Sequence, residues 1–191
     1  VLAQWLLATL DVDPTIRQNA EQSLKLASTQ PGFGSSLTNL AVTSDVTDGL
    51  KQLAAVLLKT YIKEHWQEGM RKFTPPETSE PEKAYIKSVI HQGLGHPVSK
   101  IRTAIGMAIA SIADCDWPHA WPELTPTLIQ MIRQRNSADL AHGGLRCLSM
   151  ISNDIDEAQL PQVVPVLFPE LQAIISAPEH YGLSMQRRAM G

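Results

Sequence analysis

Cys115 and His119 lie four residues apart with Asp114 and Asp116 beside them, which is the grouping best suited to chemistry in this sequence. A thiolate next to an imidazole can act as a nucleophile, and the same side chains can bind a metal ion. However, Pro118 interrupts the helical geometry that would bring the two side chains together, and no second cysteine pair supplies further ligands. We therefore expect no catalytic residue and no metal site at this position.

The remaining polar residues form no recognisable catalytic motif. The sequence contains no fingerprint of a serine hydrolase, a zinc protease, a phosphate-binding loop or a dinucleotide-binding turn. His91 and His96 lie on either side of a glycine turn and His142 adjoins Gly143, and we interpret all three as surface residues of turns. The sequence thus predicts a protein that is not an enzyme and has no cofactor.

Composition narrows the class of partner. The 191 residues are 43% hydrophobic, which is enough for a sizeable core, and the net charge is −3. The sequence lacks the excess of basic residues that is typical of nucleic-acid-binding domains, so we expect no direct contact with nucleic acid. No apolar run approaches the roughly 20 residues that span a bilayer, so we expect no membrane insertion. Two cysteines make no disulfide framework. The first residue is not methionine and the last residues look like an interrupted helix, which predicts a piece of a longer chain.

Apolar residues recur at helical spacing, and no segment alternates as a strand would. The clearest helix is predicted over residues 45–66, with one apolar stripe that includes Leu50, Leu57 and Tyr61. Ser79 and Glu82, three residues apart, predict a capping box at the start of a later helix. Shorter helices are predicted over residues 33–41, 82–92, 123–133 and 159–175, and Ser137 is predicted to cap a helix that runs through Leu140, Leu145 and Leu148. The fold class is therefore predicted to be all-α.

A loose signature, an apolar residue followed by a basic one and then by small or apolar residues, begins at Ile16, Leu50, Ile101 and Leu145. The intervals of 34, 51 and 44 residues, counted from the numbering, bracket the period of HEAT and armadillo repeats. We predict an α-solenoid of about four and a half HEAT hairpins, with repeats at 1–44, 45–95, 96–136 and 137–177 and the start of a fifth at 178–191.

Three segments resemble the amino-terminal repeats of importin-beta-type karyopherins. They are PTIRQNAEQSL at 14–24, QLAAVLLKTYI at 52–62 with a closing Trp66, and DWPHAWPEL at 116–124, whose double Trp-Pro corner is the most distinctive. The loop PPET at 75–78 is most like that of the importin-nine branch, which includes Kap114. The resemblance extends from about Leu10 to Arg188. Without it, the Trp-Pro pairs would still be interpreted as packing at a corner between helices.

The resemblance implies a nuclear import receptor that shuttles between cytoplasm and nucleus. Receptors of this family bind the GTP form of the small GTPase Ran through the inner, second helices of their amino-terminal repeats. They also carry protein cargo through the nuclear pore and contact nuclear pore proteins. The importin-nine branch implies basic cargo such as histones or ribosomal proteins. Candidate acidic patches for such cargo are Asp45, Asp48, Asp154, Asp156 and Glu157, although helix capping explains them equally well.

On the second helices, exposed polar positions are candidates for Ran contacts. Our hypothesis is that Lys83, Lys87 and Arg133 meet acidic or switch-loop groups of Ran, with Gln92, Gln130 and Gln162 as neighbouring polar contacts. Any one of these side chains could equally belong to a solvated helix face. Two alternatives stay open: an exportin of the same superfamily, and a HEAT-repeat scaffold whose partner does not depend on nucleotide state. A small helical enzyme domain is disfavoured, because titratable residues do not converge.

Overall fold

The computed structural model describes residues 1–134, 137–152, 160–177, 183, 186, 187, 189 and 190, except for the side chains of residues 160–163 and 166. Within these residues the chain forms α-helices and one 3-10 segment, Ile90–Gly95, and contains no strand. The all-α prediction is therefore confirmed. The α-helices are α1 Leu2–Ala8, α2 Pro14–Ala27, α3 Phe33–Val42, α4 Asp48–His65, α5 Glu80–Val89, α6 Ser99–Asp116, α7 Leu124–Arg133, α8 Ala138–Ile151 and α9 Leu160–Ser176.

The helices stack in two layers. In the first-helix layer, which comprises α2, α4, α6 and α8, helix α6 packs between α4 and α8. In the second-helix layer, which comprises α3, α5, α7 and α9, helix α3 packs on α5 and α7 packs on α9. Fully buried side chains such as Leu58, Ile86, Ile109 and Leu128 form one continuous core. Stacked hairpins of this kind bury apolar faces that a single hairpin would leave exposed.

Each of the first four predicted repeats contains a helix from both layers: α2 and α3, α4 and α5, α6 and α7, α8 and α9. The exact repeat boundaries stay a prediction. Most of the predicted fifth repeat, 178–191, lies outside the described residues. No helix among the described residues has the length and apolar character needed to cross a membrane.

Two glycines permit close approaches between elements. A Cβ added at Gly143 of α8 would lie 1.9 Å from the carbonyl oxygen of Leu94, in the 3-10 segment. A Cβ at Gly34 of α3 would lie 2.4 Å from Cε1 of Tyr61, in α4. Any side chain at either position would push two elements apart, so these glycines determine the spacing of the stack.

Two copies of the apolar-basic signature share one structural role. The Nη1 atom of Arg17 donates to the carbonyls of Asp11 and Val12, at 2.7 and 2.9 Å. Arg102 repeats this pattern on the carbonyls of His96 and Pro97, at 2.6 and 2.8 Å. Each arginine thus fastens its helix to the turn before it. Arg102 also bonds Asp139 of α8 at 2.8 Å, which links neighbouring repeats.

The predicted capping box at the start of α5 is wrong. Ser79 is the residue before the helix, but its side chain makes no capping hydrogen bond. Glu82 instead accepts the backbone N–H of Gly32 at 3.0 Å and that of Ser35 at 2.9 Å, at the start of α3. Glu82 is buried, and its negative charge is stabilised by the helix dipole at the amino-terminal end of α3. The spacing rule failed because a neighbouring helix supplies better donors for the carboxylate. At α8 the predicted cap is confirmed, since Ser137 Oγ accepts the N–H of Leu140.

Candidate partner-binding surface

A buried polar network joins the ends of α4, α5 and α6. Trp66 is fully buried, and its indole Nε1 donates to Oδ1 of Asp116 at 3.0 Å. The other carboxylate oxygen of Asp116 accepts from Nζ of Lys87 at 2.8 Å, and the same ammonium reaches the carbonyl of Ala120 at 2.9 Å. Asp116 is thus satisfied on both oxygens in a largely water-excluded site. The network holds the corner between α6 and α7 against α5.

Lys83 anchors the loop that connects α4 with α5. Its Nζ lies 2.6 Å from Glu77 and 2.8 Å from Glu80, and 5.9 Å from the ring centroid of Trp66. Burial by itself lowers the pKa of Lys83, but the bonds to Glu77 and Glu80 outweigh it and raise that pKa. Conversely, the hydrogen bond from Lys83, with one from the backbone of Glu68, lowers the pKa of Glu77. The side chain therefore holds the loop in place and does not project toward solvent.

A cleft of about 400 Å³ lies between α5 and α7 in the second-helix layer. Lys87 and Ser88 of α5 and His91 of the 3-10 segment form one wall, and the other is formed from the α7 side by Trp121, Glu123 and Thr127. His91 is half-buried, and this burial lowers its pKa. His96 is similarly covered and pairs with Asp48, its Nε2 lying 3.5 Å from a carboxylate oxygen. The interpretation of these two histidines as surface residues was therefore wrong.

The predicted Ran-contacting residues fall into three groups. Lys83 and Lys87 both engage carboxylates of this chain, and their side chains are only 7% and 15% exposed. Gln130 and Arg133 are exposed on α7, and Gln92 is exposed on the 3-10 segment. Nε of Arg133 lies 2.8 Å from Glu170 of α9, yet the arginine side chain keeps 54% of its surface in solvent.

Gln162 belongs to α9, but its side chain lies outside the described residues, as do the acidic candidates Asp154, Asp156 and Glu157. Sequence reasoning passed over two exposed aromatic side chains on the same layer. Phe168 of α9 is 63% exposed, and Tyr85 of α5 is partly exposed and donates its hydroxyl hydrogen to Asn39 of α3. The available signal was an aromatic residue on the polar side of an amphipathic helix.

The Trp-Pro corner is packing, as expected. Trp121 is buried and joins the core, and Trp117, which precedes a cis proline, packs against the core from its edge. Nearby, burial and the charges of Asp116 and Asp114 raise the pKa of the Cys115 thiol, which opposes the thiolate form that nucleophilic chemistry needs.

Cys147 is fully buried, and its pKa is raised to about 12. Across the described part of the chain, no group of three or more His, Cys, Asp or Glu side chains could hold a metal ion.

Comparison with known proteins identifies the family. Residues 20–96 match the Importin-beta N-terminal domain. The chain is 28% identical to Importin-9 of Drosophila melanogaster over 95% of its length, and 30% identical to Exportin-2 of Oreochromis niloticus over 76%. It spans only 18% and 14% of those two relatives, which are nucleocytoplasmic transport receptors.

The fold agrees with these matches. A solved structure in which Kap95p binding induces the switch loops of RanGDP to adopt the GTP-bound conformation covers 99% of this chain with a TM-score of 0.73. The alignment takes in 22% of that structure's chain at 21% identity, and it supports the predicted HEAT-repeat solenoid. The match to Importin-9 agrees with the predicted branch. The chain therefore belongs to the importin-beta-type karyopherins, a family of nuclear transport receptors and not of enzymes, and contains part of their amino-terminal HEAT-repeat array.

Proposed function

We propose that this chain is the Ran-binding amino-terminal part of a nuclear import receptor. The single observation that carries the proposal is the cleft between α5 and α7 in the second-helix layer, with Gln130 and Arg133 exposed on α7 and Gln92 exposed on the adjoining 3-10 segment. Polar side chains in this arrangement suit a folded protein partner that is recognised over a wide area. The likeness to Kap95p, for which an effect on the switch loops of Ran is described, makes that GTPase the partner of choice.

The residues differ in their proposed roles. Arg133 is the strongest candidate for a direct contact, because its guanidinium is more than half exposed and keeps donors for a partner carboxylate beside its ion pair with Glu170. Gln92 and Gln130 would donate or accept neutral hydrogen bonds, and Gln162 of α9 stays a candidate of the same kind. Lys87 would contact the partner from the wall of the cleft. Lys83 would position the 66–79 loop and would not touch the partner.

Nucleotide dependence would follow from the partner. The switch loops of a GTPase change order with the γ-phosphate, so a rigid surface that fits one arrangement reads the nucleotide indirectly. Release of cargo would then be a coupling free energy between two sites of the whole receptor. Basic cargo such as histones or ribosomal proteins, contacts with nuclear pore proteins, and shuttling between cytoplasm and nucleus belong to the same proposal. The net charge of −3 is compatible with basic cargo.

The test is a calorimetric titration of the 191-residue chain with Ran loaded with a non-hydrolysable GTP analogue or with GDP. We expect binding of the GTP form only. Arg133→Gln should weaken it about tenfold or more, because a charge-assisted hydrogen bond at an interface is lost. The matched control is Glu170→Gln, which breaks the same internal ion pair but keeps the cation, and should leave the affinity nearly unchanged.

Other outcomes reject specific parts of the proposal. Equal binding of both nucleotide forms, or none of either, would favour the scaffold alternative. Equal losses from the two variants would mean that Arg133 acts through Glu170 and not on Ran.

Export is the second candidate, because an Exportin-2 matches 76% of the chain at 30% identity. An exporter and an importer differ in the sign of the coupling between Ran-GTP and cargo.

A further inference from the structure

The cleft between α5 and α7 carries an unbalanced negative charge. Its lining contains two charged side chains, Lys87 and Glu123, besides the imidazole of His91. The ammonium of Lys87 is already neutralised, because it lies 2.8 Å from Asp116 and both side chains are largely buried. Burial lowers the pKa of His91, so the ring adds no positive charge at pH 7. The charge that remains in the cleft is the carboxylate of Glu123.

Glu123 has no evident task inside the fold. It is exposed and lies directly before α7, but its side chain makes no capping hydrogen bond to that helix. In the part of the chain that the structure describes, Glu123 belongs to no ion pair. A carboxylate that neither caps a helix nor pairs with a cation is available to a partner.

An anion would be the alternative occupant, because the start of a helix usually offers free N–H groups. At the start of α7 this supply is reduced. Pro122 and Pro126 have no N–H, and the N–H of Leu124 bonds the carbonyl of Trp121 at 3.3 Å. With few donors and an unpaired carboxylate, the cleft favours a cation over an anion.

The shape of the cleft suits one long side chain. Its volume of about 400 Å³ lies at the lower end of the range for ligand pockets. Ala84 and Ala120, which are small, line it, and Trp121 contributes aromatic surface. A guanidinium stacks on an aromatic ring and binds a carboxylate through two parallel hydrogen bonds. The neutral ring of His91 adds one acceptor nitrogen. Arginine therefore complements this lining better than any other side chain.

We infer that the cleft between α5 and α7 receives a basic side chain of a protein partner, an arginine by preference, and that Glu123 is its counter-ion. The identity of that partner, Ran in its GTP form, rests on the proposed function, whereas the preference for a basic group depends on the cleft alone. Arg133, at the other end of α7, is roughly 15 Å from Glu123 at about 1.5 Å per residue. The surface would thus present one charge of each sign, which fixes the orientation of a partner.

The first arm of the test examines the cleft without Ran. Acetyl-arginine amide and its neutral isostere, acetyl-citrulline amide, are each titrated into the ¹⁵N-labelled 191-residue chain, and backbone amide shifts are followed by NMR. We expect the arginine compound to shift amides of residues 84–91 and 120–127. It should bind at least about threefold more tightly than the citrulline compound, as expected for a partly exposed ion pair.

Two variants locate this preference. Glu123→Gln should abolish it, because the carboxylate is lost while the shape of the side chain is kept. Glu21→Gln makes the same change at an exposed residue of α2 that does not line the cleft, and should leave the preference intact.

The second arm is a calorimetric titration of the same variants with Ran loaded with a non-hydrolysable GTP analogue. Glu123→Gln should weaken binding about three- to tenfold, and Glu21→Gln should not change it.

Four results overturn the inference: no shifts at the cleft with the arginine compound, equal affinity for the two compounds, equal effects of the two variants, or Ran binding that Glu123→Gln leaves unchanged. If the chain binds neither nucleotide form of Ran but still prefers arginine through Glu123, the proposed function fails and the basic-group site stands.

Discussion

Replacing Gly143 with alanine should destabilise the solenoid although alanine is the better helix former. The new Cβ would lie 1.9 Å from the carbonyl oxygen of Leu94 and 2.8 Å from its carbonyl carbon. Both are backbone atoms of the 3-10 segment, so no side-chain rotation relieves the overlap. Overpacking of a core typically costs about 1–3 kcal/mol, and a clash with the backbone belongs at the upper end. The higher helix propensity of alanine offsets about 1 kcal/mol of this cost, so the net loss in the free energy of unfolding is about 2 kcal/mol.

Gly49 provides the matched control. It lies in the first turn of α4, and a Cβ there would meet no atom within 4 Å. Gly49→Ala should therefore stabilise the chain by a few tenths to about 1 kcal/mol, through a smaller loss of conformational entropy on folding. The two identical substitutions should differ in sign, because only one of them meets a neighbouring element.

Urea unfolding followed by circular dichroism measures the effect. With a slope of about 2 kcal/mol per molar urea, the midpoint of Gly143→Ala should fall by roughly 1 M, and that of Gly49→Ala should stay level or rise. A smaller slope in Gly143→Ala would indicate that neighbouring repeats no longer unfold together. If Gly143→Ala were as stable as the unchanged chain, the contact between α8 and the 3-10 segment would be looser than described, and the reasoning would fail.

Three further outcomes are expected. Glu82→Ala should lower the free energy of unfolding by about 1–3 kcal/mol, because two partly buried N–H groups at the start of α3 lose their acceptor. Exposed Glu80→Ala should cost at most about 1 kcal/mol, and equal losses in urea unfolding would reject the cross-helix cap. Trp66→Phe should lower stability by about 2 kcal/mol or more, since it removes a buried donor to Asp116 and leaves a small void; a thermal melt that matches the unchanged chain would contradict this. The pKa of Glu77 is lower in the folded chain than in the unfolded chain, so its contribution to the free energy of unfolding is present at neutral pH and is lost as pH falls through the folded-state pKa. The difference in unfolding free energy between the unchanged chain and Glu77→Gln should therefore close on acidification. A difference that stayed constant from pH 7 to pH 3 would be inconsistent with the Lys83 contact.

The helices, their order and the family were predictable from the sequence because they depend on local patterns. The apolar stripe through Leu50, Leu57 and Tyr61 repeats at helical spacing, and Ser137 precedes α8 as a cap. The Trp-Pro corner at residues 117–122 is a short segment whose pattern the family shares. Such features depend only on residues within about one helical turn of one another, so they can be recognised in the sequence alone.

The roles of the charged side chains were decided by the tertiary structure. Lys83, Lys87 and Arg133 look alike as basic residues on amphipathic second helices. Lys83 is buried between Glu77 and Glu80, Lys87 pairs with Asp116 from another helix, and Arg133 keeps more than half of its surface in solvent. Glu82 likewise accepts hydrogen bonds at the start of α3 and does not cap its own helix.

The contacts of Glu82 and Lys87 join residues 29 to 50 positions apart in the chain, and the role of Lys83 depends on how far its end of the helix is removed from water. A charge selects the nearest desolvated partner in three dimensions, and sequence spacing along one helix does not encode that distance. The sequence by itself therefore determined which helices form and which family they belong to. The stacking of those helices determined which side chains hold the solenoid together and which remain free to meet a partner.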